Sequence, residues 1–154
     1  KKYLDILEAL YIVFVVRPFH DNIARAVLQT PKVYFYDTGL VVGDDGLRFE
    51  NLVATALHKH VQWQHDVQGQ ETGLHYIRTK DGAEVDFALS HKGQLTQLVE
   101  CKLSDPKPHR ALLRFAREQP QAQAVQVVRH LPHSHALGEI QTMRADEYLN
   151  GLAG

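Results

Sequence analysis

The amino-acid sequence predicts a mixed α/β fold, of the α+β kind, with one sheet that is part meander and part crossover. Three patterns carry this prediction. A long apolar stripe at helical spacing begins at Phe49. Two segments of alternating apolar and polar residues then flank Asp81-Gly82, a dipeptide typical of tight hairpins. A further strand-like segment at 124–128 follows a second helical stretch, as expected for a crossover connection.

A helix and two strands are predicted in the first part of the chain. Apolar residues from Tyr3 to Leu10 recur at helical spacing, so we expect a helix that packs one face. The β-branched run 12–16 predicts a strand that Pro18 ends. After a polar stretch, residues 33–36 predict a second strand.

A cluster of glycine and aspartate residues between Gly39 and Gly46 is the clearest break in these patterns. We therefore expect a boundary there, with residues 1–43 forming one unit and residues 44–154 the other. The first unit has a long polar loop around His20, and its helix, strand, loop and strand resemble the closing half of a winged helix.

In the second unit, the apolar patterns predict the element order α, β, β, β, α, β, followed by a last helix. The segments that carry this order are the helical stripe 49–61, the strands 74–79, 85–89, 95–102 and 124–128, a helix opened by Pro106 and Pro108, and the helix 146–152.

Composition excludes several classes of protein. The chain has 154 residues, 44% of them hydrophobic and 23% charged, which is typical of an ordinary globular protein and unlike a disordered or collagen-like chain. Its formal net charge of -1 provides no overall positive field for nucleic acid, so DNA binding would need a local basic patch.

The cellular setting is also predicted from a few features. The longest apolar run, 11–16, is far shorter than the roughly 20 residues that cross a bilayer, so we expect no membrane segment. The lone Cys101 is typical of a reducing compartment, which favours the cytoplasm. The chain opens directly on an amphipathic segment, so we expect it to continue from a longer protein.

Two carboxylates on neighbouring strands are the most informative residues. Asp86 and Glu100 interrupt strongly apolar strands, and a charge on a buried side needs a reason. If a two-residue loop joined these strands, Asp86 would face Val99 and both sheet faces would mix polar with apolar residues. A loop of three or five residues instead places Phe87 opposite Val99 and Asp86 opposite Glu100, and the hydrophobic pattern favours this register.

Two further charged residues are expected beside this pair. Lys102 lies along the same face of its strand as Glu100, and Glu50 falls on the margin of the helical stripe, where it points toward the sheet. Glu50, Asp86 and Glu100 would offer Mg²⁺, or Mn²⁺, the carboxylate oxygens that suit it. The Lys102 ammonium could orient an attacking water or stabilise charge on phosphorus. The alternative is an ion-pair network on a half-exposed sheet face.

These residues and their order resemble the PD-(D/E)XK nuclease superfamily. Val85-Asp86 precedes Val99-Glu100-Cys101-Lys102 on the next strand, after a helix that bears Glu50. The resemblance implies a restriction-endonuclease-like core. It also implies that the three acidic residues are catalytic metal ligands and that Lys102 is the catalytic lysine.

Four segments are similar, more narrowly, to the uncharacterised C-terminal domain of prokaryotic AAA-superfamily ATPases. They are 3–7, 32–40, 49–53 and 78–87. This resemblance implies an ATPase module upstream in the same polypeptide. The chain itself has no GxxxxGK[ST] phosphate loop, so we expect no ATP hydrolysis from it.

Two functional hypotheses follow. The leading one is a metal-dependent domain that hydrolyses phosphodiester bonds in DNA, with Lys102 positioning the hydroxide and with Arg78 and Lys80 as nucleic-acid contacts. The alternative is a catalytically inactive DNA- or protein-binding regulatory module of the ATPase.

Overall fold

The computed structural model describes residues 2–19 and 30–152. Within these residues, four helices surround one mixed sheet of eight strands. The helices are α1 (Lys2–Ala9), α2 (Asp45–Gln68), α3 (Arg110–Glu118) and α4 (Ala145–Gly151). The strands are β1 (Val13–Pro18), β2 (Lys32–Phe35), β3 (Thr72–Arg78), β4 (Glu84–His91), β5 (Gln94–Lys102), β6 (Gln123–Val128), β7 (His135–Leu137) and β8 (Ile140–Arg144).

The strands follow the order β2-β1-β3-β4-β5-β6-β8-β7 across the sheet. The central β3, β4 and β5 form an antiparallel meander, and α3 connects β5 to the parallel strand β6. The mixed α/β prediction is therefore confirmed, including the order of helix, three strands, helix and strand that begins with α2.

The sheet has a core on each side because successive strand residues point to opposite faces. Val99 packs in the cluster that contains Leu57 of α2, whereas its neighbour Leu98 packs in the cluster that contains Leu112 of α3. The two helices thus cover opposite faces of the central strands.

Helix α2 is fixed at both ends by capping groups. The Asp44 carboxylate accepts a hydrogen bond of 2.9 Å from the N–H of Leu47, and Gly69 ends the helix with a left-handed backbone at φ 64°. Its apolar stripe, including Phe49, is buried. Glu50 follows on the margin of this stripe, as predicted.

The first segment of the chain, residues 1–43, adds the strands β1 and β2 to the same sheet. β1 pairs with β3 in parallel at Arg17 and His75, and Phe14 packs in the core cluster of α2. The polar loop expected around His20 lies outside the described residues, and the division between residues 43 and 44 stays a prediction.

Helix α1 forms as predicted, but the expectation that it packs one face was wrong. Within the described part of the chain, none of its residues is buried, and Tyr3 and Ile6 are 85% and 48% exposed. The helix ends beside the start of β1, and the described elements leave its apolar side uncovered.

The predicted register of β4 and β5 is confirmed, but its predicted cause was wrong. Phe87 pairs with Val99, as expected. The loop, however, has two residues, Lys92 and Gly93, whose positive φ angles of 49° and 74° are typical of the tight turn that joins hairpin strands.

A β-bulge supplies the shift that a longer loop was expected to supply. Ser90 pairs with Leu95, but Leu89 pairs with Gln97, so Thr96 is the extra residue on β5. Beyond this bulge the strands have the register that brings the two carboxylates together.

Two strands, β7 and β8, were not predicted. β8 lies parallel to β6, and its buried Thr142 pairs with the buried Gln126 of β6. Because both residues are polar, the alternation of apolar and polar residues that marks a strand is interrupted at this position. Among the described helices, none is at once long and apolar enough to cross a membrane.

Candidate functional site

Asp86 lies at an irregularity of the central sheet. Asp86 and Phe87 of β4 are together opposite the single residue Tyr76 of β3, and such bulges redirect side chains. On the other side, the N–H of Cys101 donates to Asp86 Oδ2 at 2.9 Å, and the N–H of Asp86 donates a long hydrogen bond of 3.4 Å to Glu100 Oε2. The two carboxylates thus bridge β4 and β5 where the regular ladder ends.

Lys32 of β2 places its ammonium among three carboxylates. Its Nζ lies 2.6 Å from Glu84 Oε1, 3.2 Å from Glu50 Oε1 and 3.5 Å from Asp86 Oδ1. The hydroxyl of Tyr34, two residues along the same strand face, donates to Glu50 at 2.6 Å. The Lys32 side chain is only 18% exposed. An internal cation therefore occupies this part of the site.

Glu100 is engaged by a second set of groups. Its side chain is 4% exposed, and Lys102 Nζ donates to Glu100 Oε1 at 2.6 Å. The Nδ1 atom of His109 lies 3.2 Å from the same oxygen, but not in hydrogen-bonding geometry. Asp86 and Glu100 are thus neighbours that contact different lysines.

The loop before α3 carries His109 to this position. Gln126 of β6 is fully buried, and its amide donates to the carbonyls of Asp105 at 3.0 Å and Lys107 at 2.8 Å. Its side-chain oxygen accepts a bond of 2.8 Å from the N–H of His109. One buried amide therefore fixes the loop that borders the acidic cluster.

The two predicted nucleic-acid contacts have different surroundings. The Arg78 guanidinium donates to Glu84 and lies 5.5 Å from the ring centre of Tyr76. Lys80 lies in the exposed turn between β3 and β4. Arg78 is therefore already paired within the chain, whereas Lys80 is exposed to solvent.

The carboxylates hold more negative charge than the lysines balance. The pKa of Asp86 is raised to about 7, first by burial and then by the nearby charges of Glu100 and Glu50, against the opposing effect of Lys32. Burial also raises the pKa of Glu100, although its hydrogen bond from Lys102 opposes that change. Asp86 is thus the carboxylate of the cluster whose ionised form is destabilised by burial and by its acidic neighbours.

The cations respond in the opposite way. Burial by itself lowers the pKa of Lys32, but the charges of Glu50, Asp86 and Glu84 outweigh it and raise the pKa well above its ordinary value. Burial and the charge of Lys102 lower the pKa of His109. Lys32 is therefore a permanent cation at neutral pH, whereas His109 is neutral.

The arrangement does not fit a bound metal ion. The described residues contain no group of three His, Cys, Asp or Glu side chains that could hold one. Glu50, Asp86 and Glu100 have the oxygen chemistry that Mg²⁺ prefers, but Mg²⁺ needs oxygens at about 2.0 to 2.1 Å. The carboxylates around Lys32 instead surround an ammonium at 2.6 to 3.5 Å.

The predicted site residues are therefore brought together, in an ion-paired form. Glu50 and Asp86 share Lys32, Glu100 binds Lys102, and Asp86 and Glu100 contact each other through the backbone.

Sequence reasoning missed four residues of this region: Lys32, Tyr34, Glu84 and His109. The period of two along a strand would have placed Glu84 with Asp86 and Lys32 with Tyr34. No comparable local signal marks His109, because its position depends on Gln126 in a distant strand.

Comparisons with known families match both parts of the chain. Residues 1–48 match the model of a domain of unknown function, DUF8612. Residues 45–144 match the model of a second domain of unknown function, DUF4143, which is found at the C-termini of AAA-type ATPases. No curated protein and no solved structure matches the chain. Because the second match covers more than half of its length, the chain belongs to the DUF4143 family.

Proposed function

We propose that this domain is a non-hydrolytic regulatory module of an AAA-type ATPase, with a nuclease-like acidic cluster that its own lysines neutralise. The observation that carries this proposal is the engagement of every predicted metal ligand by an ammonium. Glu50 and Asp86 contact Lys32, and Glu100 contacts Lys102. Ion pairs that are this well buried are costly to break, because each partner would be left uncompensated.

The charge distribution favours a protein partner over DNA. Binding to phosphates needs available cations, but Arg78 is paired with Glu84 and Arg114 with Asp81 at 3.0 Å. Lys80, Lys107 and Arg110 are exposed, but they are few for a surface that neutralises several phosphates. Phosphates would therefore compete with these acidic partners for Arg78 and Arg114.

An exposed apolar surface supports a protein partner directly. Ile6 of α1 is 48% exposed, and Leu10 and Tyr11, which follow the helix, are 62% and 75% exposed. Contiguous exposed apolar side chains are typical of protein interfaces. The partner we propose is the ATPase module of the same polypeptide, since the family occurs at the C-termini of such ATPases, and we place both in the cytoplasm.

The test is association in trans between this chain and the purified ATPase module. Leu10→Asp, directly after α1, should weaken the association at least tenfold, because a charge would be buried in an apolar contact. Val67→Asp is the matched control, since Val67 is an apolar residue of α2 that is 68% exposed. No association, or equal loss in both variants, would overturn the proposed contact.

DNA hydrolysis is the second candidate function. It is favoured by the raised pKa of Asp86, which burial and then the charges of Glu100 and Glu50 cause, because carboxyl groups with a raised pKa are typical of functional sites. The test is incubation of plasmid and branched DNA with Mg²⁺ or Mn²⁺, alongside the Lys102→Ala and Asp86→Asn variants. We expect no cleavage above the variants. Metal-dependent cleavage that both substitutions abolish would instead establish the hydrolase.

A further inference from the structure

We propose that Lys32 is the built-in cation of the acidic cluster, and that its seat between Glu50, Glu84 and Asp86 excludes a divalent metal ion. This inference deepens the proposed function, because it assigns the control of the same cluster to one residue of β2. It predicts that metal binding and the docking of the Lys32 side chain are mutually exclusive.

The number of contacts matches the chemistry of an ammonium. A lysine ammonium has three N–H donors, and Lys32 Nζ has three carboxylate oxygens within 3.5 Å. These oxygens come from α2 and from two positions of β4. The ammonium therefore has one carboxylate partner for each N–H donor. The negative charge of the cluster stabilises it in this position.

The same distances argue against a metal beside the lysine. For Mg²⁺ to bind, the oxygens now 2.6 to 3.5 Å from Nζ would have to close to about 2.0 to 2.1 Å around the ion. They cannot do so while the ammonium lies between them. The ammonium would also repel a metal ion at this site because both are positive. Shielding from solvent strengthens that repulsion.

Lys32 is held in place by the first segment of the chain. It pairs with Val16 in the β1–β2 ladder, and the Asn51 side chain of α2 bonds both backbone groups of Phe35, at 2.8 and 2.9 Å. β2 is thus clamped between β1 and α2. The segment that matches DUF8612 supplies the cation to the cluster within the DUF4143 match.

The experiment is a titration of the 154-residue chain with Mn²⁺ alone, followed by electron paramagnetic resonance of the free ion. We expect the Lys32→Met variant to bind one Mn²⁺ at least tenfold more tightly than the unsubstituted chain. The double variant Lys32→Met with Asp86→Asn should lose this gain. Lys32→Arg keeps the positive charge and should show no gain, and neither should Lys59→Met, which removes an exposed lysine of α2.

Two results would overturn the inference. One is a folded Lys32→Met variant, verified by circular dichroism, that gains no affinity for Mn²⁺. The other is tight Mn²⁺ binding by the unsubstituted chain that Asp86→Asn abolishes, a result that needs no Lys32 variant to fold. Neither result bears on the association with the ATPase module, which is measured through Leu10→Asp, so the two proposals fail separately.

Discussion

Lys32 on β2 and Asp86 on β4 belong to strands that β1 and β3 separate in the sheet, yet Lys32 Nζ lies 3.5 Å from Asp86 Oδ1. The contact is possible because Lys32 reaches over the sheet face and the bulge at Asp86 redirects that carboxylate. An ion pair thus connects the edge strand β2 to the central strand β4. The stability of the cluster therefore depends on the positions of both strands.

Removal of Lys32 should destabilise the fold. Lys32→Met keeps the length of the side chain but leaves Glu50, Glu84 and Asp86 without their shared cation, which we expect to cost about 3 kcal/mol of unfolding free energy at pH 7. Urea denaturation measures this loss. Lys59→Met, at an exposed position of α2, should change the value by less than about 0.5 kcal/mol. Equal effects of the two substitutions would show that the Lys32 contacts contribute nothing.

Asp86 should make the fold less stable as the pH rises. Its folded pKa is about 7 against an ordinary 3.8, so between these values the folded chain holds a proton that the unfolded chain has released. The stabilisation is present below about pH 4 and is lost as the pH rises through about 7. Asp86→Asn removes this loss, so the variant should gain on the unsubstituted chain by about 2 kcal/mol between pH 5 and pH 7.

The comparison must use the difference between the two proteins at each pH, measured by urea denaturation. Burial lowers the pKa of His58, His75 and His109, so these groups destabilise the fold as the pH falls, in the opposite sense to Asp86. The effects of His58 and His75 cancel in the difference to a first approximation, whereas the pKa of His109 also responds to the charge of Asp86. A difference that stays constant between pH 5 and pH 7 would mean that Asp86 ionises normally in the folded chain.

Gln126 should be needed for the order of the loop that carries His109. Gln126→Leu fills the space but leaves the carbonyls of Asp105 and Lys107 without their donors, which we expect to cost about 2 kcal/mol. Amide hydrogen exchange should become faster at residues 105–109. The control is Gln141→Leu, at an exposed position on the neighbouring strand. Unchanged exchange in the Gln126 variant would contradict the proposed role.

Gly73 should be required for a buried polar contact between β3 and β4. A Cβ atom at this position would lie 2.6 Å from His75 Nε2 and 2.9 Å from Ser90 Oγ, two atoms that share a hydrogen bond of 3.0 Å. Gly73→Ala should therefore cost about 2 kcal/mol of unfolding free energy in thermal or urea denaturation.

Gly151→Ala is the matched control for that substitution. A Cβ at Gly151, the last residue of α4, would meet no atom within 4 Å in the described part of the chain. Alanine is also the better helix former, so this variant should be neutral or slightly more stable. Equal stability of the two variants would show that the strands adjust to the added methyl group at no cost.

The sequence allowed the central geometry to be predicted because hydrophobic alternation constrains register strongly. Only one register kept Phe87 and Val99 on an apolar face, and that register held although its cause, the bulge at Thr96, was not foreseen. A bulge and a longer loop produce the same shift, and no local residue pattern separated them.

The ion pairs of the site could not be predicted from the same reasoning. The position of Lys32 depends on the pairing of β1 with β3, which joins segments that are distant in the chain and carry no mutual signal. The carboxylates alone were compatible with a metal site or with an ion-pair network. The lysine from the edge strand supports the ion-pair network, which is the interpretation that we propose.

The occupancy of the cluster by Lys32 is tested most directly by a crystal structure of the protein soaked in Mn²⁺, with anomalous differences recorded at the manganese edge. We predict no anomalous peak among the oxygens of Glu50, Asp86 and Glu100, and Lys32 Nζ within hydrogen-bonding distance of Glu50 and Glu84. A manganese peak bound by Asp86 and Glu100, with the Lys32 ammonium displaced, would contradict the account.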